Sequence, residues 1–230
     1  RRRDICAKEM DGEKDTKTKK TKEVIDDYVL GFDKFPLEQR RYGYLPIAIQ
    51  RFLRTDNKKC QISLKNTNLK DNHPCLLRYG VELSSNQSFI ACVADVLNPD
   101  VEESPPTIIE MKRILIEAMD LDRFMIIQNG TLIDVFASEG DIDLNKYKNT
   151  KIYKNVDLKD SSELDFLKKV AGSYENFCNY LRNDSIKIDY RYLWDLICMP
   201  NPKLFSTGLN LIILELKNND ITDNVNLICP

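Results

Sequence analysis

The chain holds a single histidine, His73, and only eight glycines, none arranged as GxGxxG or GxxxxGK. Without such a glycine-rich turn there is no backbone cradle for phosphates of the nucleotide-binding type. No GxSxG elbow is present either, so a hydrolase nucleophile of that kind is excluded. His73 precedes Pro74 in a polar stretch, a poor seat for a base that must be positioned before it can move a proton. The seven cysteines, Cys6, Cys60, Cys75, Cys92, Cys178, Cys198 and Cys229, are odd in number, widely spaced and without a CxxC pair. A structural zinc needs four clustered Cys or His ligands, so no metal is expected, and the thiols read as free in a reducing compartment. No apolar run approaches the roughly 18 to 20 residues that cross a bilayer, and no signal peptide is visible, so no membrane contact is expected. A net charge of -2 and a pI near 5.7 give no global field toward nucleic acid. Any such contact must come from a local patch.

What is present is ordinary for a globular chain: 42% hydrophobic and 30% charged residues over 230 positions. The start at Arg1-Arg2-Arg3, without methionine, suggests a piece of a longer polypeptide. Residues 1–23, rich in Lys, Arg, Asp, Glu and Thr, read as a flexible charged arm. Pro46 suits the first turn of a short helix bearing Ile47, Ile49, Phe52 and Leu53. Residues 55–75 read as loop. A helix capped near Ser84 to Gln87 carries Phe89, Ile90, Val93, Ala94 and Leu97 at helical spacing, and Asn98-Pro99 stops it. Beyond a Pro-rich acidic connector, Pro106 or Thr107 opens a helix with Ile108, Met111, Leu115 and Met119 on one face. Phe124 to Ile127 and Leu132 to Phe136 suggest two strands around Asn129-Gly130, a hairpin signal. The longest helix runs from a cap at Ser162 through Leu164, Leu167, Val170, Ala171, Tyr174, Phe177, Cys178 and Leu181. Asp189 caps a short helix with Tyr192, Leu193, Leu196 and Ile197. Leu209 to Leu216 reads as a buried strand and Val225 to Ile228 as its partner. The expectation is an α+β fold, helix-rich with short antiparallel strands and a C-terminal strand pair. It divides into the arm (1–23), a helical N-terminal subdomain (24–98) and an α/β C-terminal subdomain (99–230). The sequons at Asn86 and Asn129 are read as accidental, given the cysteine pattern.

Three groups of residues bear on chemistry. Glu215-Leu216-Lys217 resembles half of a restriction-endonuclease-type motif, in which alternate strand residues point together at a metal and a phosphate. Catalysis there needs an upstream Asp, and Asp134, Asp189 and Asp195 are imperfectly placed for it. Glu139, Asp141 and Asp143 form an acidic loop lacking the spacing of a calcium site. Arg40, Arg41, Arg51 and Arg54, with Tyr42 and Tyr44, form a basic and aromatic cluster. Arg51 and Arg54 stand three apart, as on one helix face. Such a cluster contacts phosphates, or else it is the polar face over a core of Ile47, Ile49 and Phe52. Trp194 with Tyr190 and Tyr192 reads as core packing.

The segments Tyr28-Val29-Leu30-Gly31-Phe32, Gly43-Tyr44-Leu45-Pro46-Ile47 and Phe52-Leu53 resemble the large subunit of the poxvirus-type early transcription factor. Cys75-Leu76-Leu77-Arg78-Tyr79-Gly80-Val81-Glu82 and Asn86-Gln87-Ser88-Phe89-Ile90 resemble its giant-virus members. The resemblance covers roughly residues 24–98, more loosely the remainder, and carries no catalytic signature. It implies a non-catalytic module of a virion-borne factor acting in the host cytoplasm. Its implied partners are promoter DNA, the viral RNA polymerase and the ATPase small subunit, with no cofactor. The alternatives left open are a metal-dependent nuclease (or a degenerate relative) using Glu215 and Lys217, and a structural virion protein.

Overall fold

The computed structural model describes residues 28–99, 104–137, 140–216 and 224–228. The expected arm at 1–23 lies outside them. The fold is α+β and rich in helix, with two short antiparallel strand pairs, the second at the C-terminal end.

The organising element is a 22-residue helix, Ser161–Arg182, longer than any other described element. Its buried residues include Leu167, Val170, Ala171, Phe177, Cys178 and Leu181, the three-and-four spacing that gathers apolar side chains on one face. Its cap is Asp160, not Ser162. The Asp160 carboxylate accepts from the Ser162 hydroxyl at 2.8 Å and from the Ser162 and Glu163 N–H groups at 2.8 and 3.3 Å, which together hold its pKa below the usual carboxylate range. Against this helix packs Ile108–Glu117, opened by Thr107 and Glu110 in a reciprocal capping box. Ser88–Leu97 packs on Ile108–Glu117 in turn. These two helices, one on each side of the expected subdomain boundary at 98 and 99, share one core. That core holds Ile90, Met111, Leu115, Phe124, Phe177, Leu181, Leu196 and Ile197. Lys112 is buried within it, its ammonium donating to Gln87 Oε1, the Asn183 carbonyl and Asp184.

The expected strands around Asn129-Gly130 are helices. Leu121–Ile126 is capped by Asp120, and Leu132–Val135 follows a tight left-handed turn. Gln128, Asn129 and Gly130 take φ of 48, 53 and 78°. Leu121, Phe124 and Ile127 are all buried, a spacing of three that only a helical path can aim at one neighbour. Asn-Gly supplied positive φ here too, but to join two helices; the Gln128 N–H is received by the Asp195 carboxylate.

The C-terminal strand is shorter and more open than expected. Only Ile213–Leu216 (β3) is strand, paired with Val225–Ile228 (β4) in the register Ile213↔Ile228, Glu215↔Asn226. A two-stranded ribbon cannot cover both faces, and Ile212 and Leu227 remain 69% and 52% exposed. β4 lies against the helix Ile47–Phe52 (α1). The expected turn at Asn218 to Asn224 falls mostly on residues outside those described. Among the described residues no helix is long and apolar enough to cross a membrane.

Candidate nucleic-acid interface

Residues 28–80 fold around a pair of three-residue strands, Tyr42–Tyr44 (β1) and Leu77–Tyr79 (β2), antiparallel with Tyr42 opposite Tyr79. Leu30 joins β1 on its other side: its N–H reaches the Tyr42 carbonyl and its carbonyl accepts from Tyr44 N–H, both at 2.9 Å. β1 runs through Leu45 into Pro46 and α1, whose Ala48, Ile49 and Gln50 are buried.

Asn57, 2% exposed, ties these pieces together. Its Oδ1 accepts from Leu45 N–H, and its Nδ2 donates to the Leu76 carbonyl, each at 2.9 Å. Its own N–H donates to Gln50 Oε1 at 2.9 Å, while Gln50 Nε2 returns to the Leu45 carbonyl at 2.7 Å. Buried amides persist only when their hydrogen bonds are met, and here both are met, the two side chains converging on the backbone of Leu45. Arg78 performs a similar task on the outer side. Its guanidinium donates to the Tyr44, Lys34 and Gly31 carbonyls at 2.7, 2.9 and 3.0 Å and stacks 4.1 Å from the Phe35 ring. Gly80 closes the unit because nothing larger fits: a Cβ there would stand 1.9 Å from the Glu38 carbonyl oxygen.

Cys60 and Cys75 form a disulfide, which corrects the expectation of free thiols throughout. Three cysteines in helical apolar patterns, Cys92, Cys178 and Cys198, suggest small core residues; all three are free, but only Cys178 is buried, Cys198 being partly exposed and Cys92 exposed on Ser88–Leu97. The disulfide closes a loop that carries Lys65 and Lys70, directly after the turn Asn57–Cys60 with its Lys58 and Lys59.

The local charge balance differs sharply from that of the whole chain. Residues 28–80 contain ten Lys and Arg against four Asp and Glu, a net +6, while residues 81–230 carry a net -9. On the surface of this basic unit stand exposed aromatics. Tyr42 and Tyr79, their ring centroids 5.0 Å apart, are 43% and 38% exposed, Phe52 is 44% and Phe35 is 65%. The same unit holds a groove of about 320 Å³ lined by Tyr28, Phe32, Tyr44, Ile47, Lys58 and Leu64, among others.

The four arginines expected to act together divide. Arg40, at φ 64°, donates to Ser104 Oγ at 3.3 Å and offsets the burial that raises the Asp95 pKa. It remains exposed. Arg41 is half-buried in the turn where its carbonyl accepts from Gly80 N–H. Arg51 is exposed on α1. Arg54 is exposed but not on that helix: α1 ends at Phe52, and Arg54 takes φ 52° in the turn beyond. The lysines of the loop were missed by motif reading because they are scattered singly, although a charge sum over this window would have found them.

Glu215 is exposed on β3 opposite Asn226, and Lys217 lies outside the described residues. The aspartates weighed as its partners are engaged elsewhere. Asp134 pairs with Lys169, Asp189 accepts from Arg191 N–H, and Asp195 accepts from Gln128 N–H. Asp143 caps a turn by accepting from Asn145 N–H at 3.0 Å. Among the described residues, no group of three or more His, Cys, Asp or Glu side chains is placed to hold a metal ion. His73 is exposed on the loop.

Comparison with protein-family models, with curated proteins and with solved structures returns no match. The early-transcription-factor resemblance rests on the residues quoted for it.

Proposed function

We propose that this chain is a non-catalytic nucleic-acid-binding module of a larger transcription assembly, with residues 28–80 as the face turned to DNA. One observation carries the reading: a net +6 over 53 residues, studded with half-exposed aromatic rings, on a chain whose residues 81–230 are net -9. Lysines and arginines on such a face neutralise phosphates and release condensed counterions, which supplies most of the non-specific binding energy. Exposed Tyr and Phe rings add stacking or hydrogen bonds to sugar and base. The acidic remainder is repelled by the same phosphates, so it orients the module with its basic end inward and leaves the helical body for protein partners. The early-transcription-factor resemblance would make the duplex an early promoter. It would make the protein partners the viral RNA polymerase and an ATPase small subunit, in the virion and the host cytoplasm.

The test is fluorescence anisotropy of a labelled duplex with the full chain at low salt. Arg51→Glu with Arg54→Glu weakens binding roughly tenfold or more. Lys168→Glu, on the acidic body, leaves it within about twofold. Absence of duplex binding at low salt removes the reading, as does equal loss in both variants.

A further inference from the structure

The basic unit contains one described covalent cross-link, and it closes the loop that bears Lys65 and Lys70. Cys60 ends the turn Asn57–Cys60 and Cys75 stands just before β2, fifteen positions later. No residue between 61 and 74 is buried, and Leu64 is 86% exposed, so apolar burial does not hold this loop. Its order comes from local hydrogen bonds. Ile62 N–H donates to the Asn68 carbonyl and Ser63 N–H to the Asn66 carbonyl, both at 3.0 Å, and Lys70 N–H donates to the Cys60 carbonyl at 2.8 Å. The Tyr44 hydroxyl donates to the Thr67 carbonyl, which seats the loop as one wall of the aromatic groove. Solvent-exposed hydrogen bonds of this kind open readily unless the chain is constrained, and a cross-link constrains it by removing open conformers.

We propose that the Cys60–Cys75 disulfide is a thiol–disulfide exchange site whose redox state sets the closure of this loop and, through it, the strength of nucleic-acid contact. The coupling to nucleic acid rests on the function proposed above; the exchange and the loop opening do not. The substrate class is a dithiol reductant. Cys60 is 3% exposed whereas Cys75 is partly exposed, so the reductant's thiolate attacks Cys75 Sγ. The protein S–S bond breaks and Cys60 leaves as a thiolate that takes a proton. The reductant's second thiolate then attacks its own sulfur in the mixed disulfide and releases Cys75 as a thiolate. The Asn57 amide, 3.4 Å from Cys75 Sγ, donates to that sulfur, and a proton completes the thiol. The protein gains two electrons and two protons, and the reductant ends as its own disulfide. The freed loop then presents its lysines and the groove wall as a spread of conformers rather than one arrangement.

The experiment uses the full chain, oxidised and after dithiothreitol, alongside Cys60→Ser/Cys75→Ser. Reduction is verified by two additional titratable thiols, and amide hydrogen exchange and duplex anisotropy are then measured on the same samples. Exchange at residues 62–70 accelerates by about tenfold or more while amides of Ser161–Arg182 keep their protection. Duplex affinity falls roughly threefold or more, as mobile charges give up ordered phosphate contacts. The double variant shows both effects without reductant and ignores dithiothreitol. Unchanged loop exchange after verified reduction overturns the proposal. Loop opening with undiminished duplex affinity overturns the coupling. Loop opening with no duplex binding in either state supports the exchange site and removes the nucleic-acid reading.

Discussion

Asn57→Ala isolates the joint on which the basic unit depends. The substitution deletes the acceptor for Leu45 N–H and the donor to the Leu76 carbonyl, both at 2.9 Å, and leaves the Asn57 N–H to Gln50 bond formally in place. The two orphaned groups are not equivalent. Leu45 is 9% exposed, so its N–H loses its partner away from water, whereas Leu76 is 55% exposed and its carbonyl recovers a solvent bond. A buried unsatisfied donor costs about 1–3 kcal/mol and a lost bond to a solvated group about 0.5–1.5 kcal/mol, so the joint weakens by roughly 1.5–4.5 kcal/mol. That corresponds to a change of roughly 10- to 1,600-fold in the opening equilibrium. Native-state hydrogen exchange reads it directly, because the Tyr44 N–H donated to Leu30 reports opening of the unit. Exchange there accelerates by that factor, while amides of Ser161–Arg182, in a different core, keep their rates. Asn57→Asp restores the acceptor but sets a carboxylate against the Leu76 carbonyl, and does not rescue. A shift below about 0.5 kcal/mol for Asn57→Ala would refute the assignment of this amide as the tie between β1, α1 and β2.

Three further outcomes follow from the same geometry. Phe177→Ala empties a site that is 0% exposed and ringed by Phe124, Phe136 and Tyr180, so urea unfolding should show a loss of about 3–5 kcal/mol. Gly80→Ala drives a methyl into the Glu38 carbonyl and separates residues 38–41 from β2; faster exchange at Arg40 N–H, which donates to the Gly80 carbonyl, checks it. Alkaline pH destabilises the fold. Burial, aided by Asp189, pushes Tyr180 up to about 12, and burial likewise raises Tyr147 and Tyr174. The folded state therefore holds phenol protons that the unfolded chain releases near pH 10. Stability from these groups is intact below that pH and is lost as pH climbs from 10 through about 12. The urea midpoint should fall over that window and fall less in Tyr180→Phe; simultaneous phenolate titration of every tyrosine near pH 10 would contradict it.

The long helices were readable because their apolar residues repeat at three and four over many turns, as from Leu167 to Leu181. Phe124 to Phe136 was not, since a short run of Phe, Ile and Val around Asn-Gly satisfies both a hairpin and a pair of helical turns. Only the neighbour, Ser161–Arg182, decides which face is buried. The strand at Ile213 was legible, but not its exposure, which depends on how many strands join the sheet. At the candidate interface, Arg51 and Arg40 were both legible as surface cations, but not the bond from Arg40 to Ser104. Arg40's left-handed backbone, turning it toward Ser104, has no signature in sequence. Arg54's helical phase relative to Arg51 was lost to a helix that ends early. The pairing of Cys60 with Cys75 is likewise invisible to spacing; it follows from Asn57 drawing the two segments together.

The salt dependence of duplex affinity bears most directly on the central claim that residues 28–80 bind nucleic acid through their charge. If roughly four to six phosphates are neutralised, a plot of log affinity against log salt falls with a slope of about -4 to -5, and Arg51→Glu with Arg54→Glu makes it shallower by about 2. A flat plot, or a slope that those substitutions leave unchanged, would contradict the account.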